Sequence, residues 1–103
     1  MSDFNPDAVN GAQNDVYNVL VDFEKLSDFK DDEEVIEEFS DAIHAERIGQ
    51  GQIQVGYGVV ATSPGEAYRV AVNLVEAKIG ISAVGPITIL SGTVYGDDED
   101  WTF

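Results

Sequence analysis

The net negative charge of this chain is confined to two of its three stretches, and that segregation limits what each stretch can do in a fold. Residues 1–50 carry fourteen Asp and Glu against three Lys and Arg. Residues 51–96 carry Glu66 and Glu76 balanced by Arg69 and Lys78, and residues 97–103 carry Asp97, Asp98, Glu99 and Asp100 with no base. The neutral stretch is therefore free to pack on several sides, whereas the other two must each keep an anionic side in water. With 44% hydrophobic residues the chain reads as a folded acidic domain rather than a disordered polyanion. Its 103 residues suit one domain with a modest core, taken as residues 1–96, followed by an acidic aromatic tail at 97–103. A formal charge of −15 repels nucleic acid and acidic membrane surfaces and attracts basic ones. Direct binding to DNA, RNA or membrane is not expected.

There is no cysteine, which rules out a disulfide framework and a thiolate metal site. The first residues, Met1-Ser2-Asp3-Phe4-Asn5-Pro6, have neither a basic start nor an apolar run and do not read as a signal peptide. No stretch is long and apolar enough to span a bilayer as a helix. These features point to the interior of a host cell or to a virion as the setting.

Hydrophobic spacing predicts an α+β domain of order α-α-β-α-β-β, two N-terminal amphipathic helices preceding a β-α-β-β unit that forms a small mixed sheet. In the first helix, from about Ala12 to Asp28, Val16, Val19, Leu20, Phe23 and Leu26 recur at three- and four-residue spacing. Asn5-Pro6 and Gly11 mark an irregular lead-in. The second helix opens on Asp31, Asp32, Glu33 and Glu34, where carboxylates favour the unpaired amides of a first turn, and closes with Arg47 and Gly49. Val35, Ile36, Phe39, Ala42 and Ile43 share one arc of it, and Glu33, Glu34, Glu37, Glu38 and Asp41 the other. A competing reading makes 43–48 a strand entering a hairpin at Gly49-Gln50-Gly51-Gln52.

From Gln52 the period changes to two, with Ile53, Val55, Tyr57 and Val59 on one face of a strand. Ser63-Pro64-Gly65-Glu66 then begins a helix, through a serine cap, proline at the first position and a glutamate that completes a capping box. That helix, to about Lys78, is apolar around most of its circumference and should be covered on more than one side, by the sheet and the N-terminal helices or by another subunit. Residues 80–84 and 87–95 read as two strands around Gly85-Pro86. The β-α-β part predicts a right-handed crossover, with the last strand added by a hairpin.

Catalytic chemistry is poorly represented, and a non-enzyme is expected, with no cofactor and no metal. The single histidine, His44, falls on the acidic helix face with no partners at ligand or triad spacing. Gly49-Gln50-Gly51 lacks the lysine and following helix of a phosphate-binding loop. The acids of 31–41 do not have the spacing or glycine of a calcium loop.

Two features carry a binding expectation instead. The first is an acidic face formed by Asp31, Glu33, Glu34, Glu37, Glu38 and Asp41, reinforced by Asp15, Asp22 and Asp28 if the two helices pair. Duplex DNA displays one charge per about 1.7 Å of axis, a density that carboxylates on one or two helices approach. The second is the tail, in which Asp97, Asp98, Glu99 and Asp100 precede Trp101 and Phe103. It is similar in outline to the acidic C-terminal tips of bacterial single-stranded DNA-binding proteins, with Thr102 where those tips carry proline. The resemblance implies docking of the terminal apolar residue into a basic pocket of a partner. Alternatively, Trp101 and Phe103 fold back over a sheet edge or a neighbouring subunit.

The sequence thus favours a non-catalytic acidic protein that binds a basic protein surface, such as that of a nucleic-acid-binding protein, and inhibits by imitating nucleic acid, as a virus or mobile element would use. The alternatives are an oligomeric assembly subunit, for example of a virion, joined through helix 64–78 and the strands, and an acidic domain from a halophilic source.

Overall fold

The computed structural model describes residues 15–103. Its elements are β1 (Asp15–Lys25), α1 (Asp32–Glu38), β2 (His44–Gly49), β3 (Gln52–Ala61), α2 (Pro64–Ile81), β4 (Ile87–Tyr95) and β5 (Asp100–Thr102). The five strands form one sheet in the order β2-β3-β1-β4-β5, and every neighbouring pair is antiparallel. The α+β class is as expected, but the arrangement is not. The sheet is antiparallel rather than mixed, the first described element is a strand, and both helices lie later in the chain. The expected lead-in around Asn5-Pro6 and Gly11, and the first residues of the expected first helix, lie outside the described residues.

The largest correction falls on residues 15–25. Besides its helical spacing, this segment places Tyr17, Val19, Val21 and Phe23 at period two, and all four are buried on one face of β1. Val16 and Leu26, which the helical reading buried, are exposed. Valine and aromatic side chains suit a pleated, half-covered surface, and β1 gains a partner on each side, β3 from Asp15↔Ala61 to Glu24↔Gln52 and β4 from Asn18↔Tyr95 to Lys25↔Ile87.

A second correction shortens the acidic helix. The expected N-terminus is correct: Asp31 accepts a hydrogen bond from the Glu34 amide at 2.9 Å, and the Glu34 carboxylate accepts one from the Asp31 amide at 3.0 Å. The helix ends after seven residues, however, with Phe39 as its C-cap. His44–Gly49 forms β2, as in the competing reading, and pairs with β3. Gly49 stands opposite Gln52, and Gly51 supplies the positive φ of 71° that the hairpin turn requires. Ile43, expected on the buried arc, is 67% exposed.

The strand expected from Gln52 and the helix expected from Pro64 are both present. Ile53, Val55, Tyr57, Val59 and Ala61 are buried on the same face as the β1 set. Ser63 accepts a hydrogen bond from the Glu66 amide at 3.1 Å, while the Glu66 carboxylate reaches one residue further back, to the amide and hydroxyl of Thr62. α2 buries Ala67, Ala71, Val75 and Ile79 along one stripe against β3, β1 and β4, and is covered on that side rather than all round. It continues to Ile81 and ends at Ser82, so the strand expected at 80–84 does not form. Ala83 turns the chain with φ of 56°, and Val84 plugs the core. The strands joined by α2 are therefore β3 and β4, which run parallel to each other with β1 between them; the hairpin expected between 80–84 and 87–95 does not form, and β4 instead makes one with β5, in residues read as a tail.

Both helices lie on one face of the sheet. Phe39, following α1, meets Phe23 of β1 with ring centroids 5.7 Å apart. Each fully buried Val, Ile or Phe of this layer contributes roughly 1.5–3 kcal/mol. The opposite face has no covering element among the described residues and carries mostly polar side chains, as an antiparallel sheet allows.

Candidate interaction surface

β1 gives the molecule two ends, and the expected partner-binding residues divide between them. At the Lys25 end, Asp31 caps α1, and Glu33, Glu34 and Glu37 are exposed on its solvent side. Glu38 is half-buried with its carboxylate 3.6 Å from Lys30, and Asp41, in the turn after α1, lies 3.3 Å from Lys78 of α2. Among the described residues no cation pairs with Glu33 or Glu37.

Asp32 has a different role from its neighbours. One carboxylate oxygen accepts hydrogen bonds from Arg47 Nε at 2.8 Å and the Gly51 amide at 3.0 Å, and the other lies 3.3 Å from Lys25 Nζ. This half-buried group ties α1 to the β2–β3 hairpin and to the end of β1. The Gly51 amide, with Arg47 and Lys25, holds its carboxyl below the usual carboxylate range, against the opposing effect of burial. Lys25, buried, and Arg47, half-exposed, are thus each paired within the chain. Between the β1–α1 loop and the hairpin they floor an open cleft of about 810 Å³, rimmed by Glu24, Asp28, Asp31 and Glu33.

The expected reinforcement by Asp15, Asp22 and Asp28 depended on a first helix that is a strand, and the three residues are separated. Asp28 joins the cleft rim, and Asp15 lies at the other end of β1, ten residue steps or about 33 Å from Lys25. Asp22 points to the open face of the sheet, where it accepts from Gln54 Nε2 at 2.9 Å and from the Ser91 hydroxyl at 3.3 Å. His44 continues that line, with Nε2 3.1 Å from Gln54 Oε1 and 3.5 Å from Glu46. The result is a polar seam across β2, β3, β1 and β4. His44 is thus in a strand and not on a helix face, because it begins β2, opposite Gly56.

The tail lies at the Asp15 end. Asp97, Asp98 and Glu99 are exposed in the turn between β4 and β5, while Asp100, Trp101 and Thr102 pair with Tyr95, Val94 and Thr93. Trp101 packs edge-on against Tyr17 at 6.0 Å. Phe103 exchanges two backbone hydrogen bonds with Gly92 and stacks on Tyr68 at 4.7 Å. Trp101 and Phe103 are in the folded-back arrangement, and the two sets of expected binding residues do not form one continuous surface.

Among the described residues no group of three or more His, Asp or Glu is placed to hold a metal ion, and no helix is long and apolar enough to cross a membrane. The sequence reading missed the special place of Asp32, which one-dimensional spacing cannot separate from Asp31 and Glu33. It also missed the Asp22–Gln54–His44 seam, whose members become neighbours only through strand register. No family model, curated protein or solved structure matches the chain.

Proposed function

We propose that the protein is a non-catalytic interaction protein that binds a basic protein surface at the Lys25 end of the domain. The observation that carries this reading is the treatment of charge there. Lys25, Lys30, Arg47 and Lys78 are each engaged by a carboxylate of the same chain, whereas Glu33 and Glu37 project into solvent beside the cleft. What faces outward is a mostly acidic rim, its half-exposed Arg47 already paired with Asp32, suited to receive Lys and Arg side chains and to compete with a nucleic acid for them. The test is displacement of a fluorescent DNA duplex from a panel of basic DNA-binding proteins at low salt. Release that weakens with added salt and with Glu33→Gln and Glu37→Gln together is expected. Failure to release DNA from any member, or release indifferent to those substitutions, sinks the reading.

A second reading, self-association into an assembly subunit, is supported by Val70, Leu74 and Ile81 of α2, which remain exposed. Light scattering tests it: a closed oligomer at micromolar concentration is its expected outcome, and a monomer at millimolar concentration would eliminate it.

A further inference from the structure

β2 is shorter than its neighbour. Its pairing with β3 begins at His44↔Gly56, whereas β3 continues to Ala61 and is paired with β1 along that whole length. Among the described residues, no strand pairs with Tyr57–Ala61 on the side away from β1. Five residues of sheet edge, about 16 Å long, are left without a ladder partner. A row of unpaired backbone donors and acceptors is a template for another strand, and native proteins commonly blunt such edges with charge, proline or a bulge. Gly58-Val59-Val60 carries none of these.

The side chains around this edge are apolar. On α2, Glu66, Val70, Leu74 and Lys78 form one row at four-residue spacing. The contact of Lys78 with Asp41 sets that row on the flank facing the α1–β2 connection. The opposite flank is defined by Tyr68, which stacks on Phe103 of the β5 side. Val70 and Leu74, 37% and 44% exposed, therefore stand beside the free half of β3, with Ile43 at its head where β2 begins. Val60 is exposed on the other face of the same edge. A strand laid along β3 would place alternate side chains against Val70 and Leu74 above and Val60 below. Beyond Ile43 its continuation would meet α1, where Glu34 and Glu37 are exposed.

We infer that Tyr57–Ala61 is a strand-addition site for an extended segment of a partner protein, apolar at alternate positions and followed by basic residues that reach the carboxylates of α1. Main-chain pairing would supply affinity and the Val70–Leu74 flank selectivity, the recurring logic of β-augmentation. A second copy of this chain suits the edge less well, because it brings a further −15 charges to an acidic neighbourhood. The basic character of the segment rests on the function proposed above; the strand addition rests on geometry alone.

The test uses the full chain and three synthetic probes. These are a peptide of alternating valine and threonine ending in three lysines, its counterpart N-methylated on alternate amides, and trilysine. The first should slow amide exchange within residues 57–61 by about tenfold or more, while the methylated peptide and trilysine should not. Val70→Ser with Leu74→Ser should weaken the first peptide by about tenfold, a loss of about 1.4 kcal/mol, and leave trilysine unaffected. Both side chains are partly exposed, and a circular-dichroism melt run alongside confirms that the variant remains folded. Equal binding of the methylated peptide, or no protection within 57–61, overturns the strand-addition site. Concentration-dependent protection of the same amides without peptide would instead assign the edge to a second copy. Binding of the first peptide that protects 57–61 but does not weaken with added salt would refute only the acidic reading of function.

Discussion

The ring of Tyr68 lies parallel to that of Phe103, 4.7 Å away at an interplanar angle of 7°, and covers Gly92 of β4, the backbone partner of Phe103. A side chain at Gly92 would place its first carbon 2.1 Å from Tyr68 Cε1, so glycine is what lets the tyrosine approach the strand and the last residues pair beside it. Phe103→Ala should remove an offset-stacking contribution of about 0.5–1.5 kcal/mol and loosen β5. Trp101 is the only tryptophan, and its fluorescence reports on this directly. Acrylamide should quench it more strongly in the Phe103→Ala variant than in the parent chain.

Gly92→Ala tests the same contact from below. The added methyl must displace the Tyr68 ring, an overpacking that costs about 1–3 kcal/mol. Urea unfolding should show a lowered midpoint. An unchanged midpoint would mean that the ring has an alternative position of equal energy.

Asp32 is expected to be the most sensitive of the α1 carboxylates. Asp32→Asn keeps the shape but leaves Lys25, whose side chain is only 8% exposed, without its closest anionic partner. A loss of about 1–3 kcal/mol is expected, against a few tenths for Glu33→Gln. Because the folded-state pKa is depressed, the stabilisation is present above the ordinary carboxylate range and fades as pH falls through the lowered value. The Asn variant should therefore lose part of the acid-induced drop in melting temperature that the parent shows.

At the alkaline limit the sign reverses. Burial, aided by the charge of Asp41, pushes the Tyr57 phenol up to about 12. The folded state holds this proton more tightly than the unfolded chain, so stability is intact below pH about 10 and falls between there and about 12. Burial also raises the Tyr68 phenol, so spectrophotometric titration should show two tyrosines ionising above the ordinary range, and Tyr57→Phe should remove the one near 12.

Removing a cap distinguishes the two helices. Ser63→Ala should cost about 1 kcal/mol at the head of α2. Asp31→Ala should cost a similar amount at α1 and also shift the amide resonances of Arg47 and Gly51, since α1 is tied to the hairpin through Asp32.

Local signals were legible wherever the chemistry is local. The period-two run from Ile53, the serine and proline that begin α2, and the aspartate and glutamate that begin α1 are each satisfied within a few residues, and each is found where the spacing put it. The failures share a different cause. Residues 15–25 carry both a helical and a strand period, sharing Val19 and Phe23. Ala45, Glu46 and Arg47 are good helix formers that nonetheless pair with β3. In both cases the deciding partner is β3, a strand that lies well downstream in the chain. Ile81 was similarly ambiguous, and the packing of Ile79 against the sheet extends α2 past the point where a strand was expected.

The candidate surface divides in the same way. That Glu33, Glu34 and Glu37 share an exposed arc follows from three- and four-residue spacing in a helix, and it was legible in the residues alone, as were the partition of charge and the α+β class. Tertiary contacts alone turn Asp32 inward, make the tail an edge strand at the far end of β1, and stop β2 short so that, among the described residues, half of β3 has no partner on that side. A carboxylate run specifies charge, whereas which carboxylate is neutralised depends on Lys25, Arg47 and Gly51, brought to it by strand pairing rather than by sequence proximity.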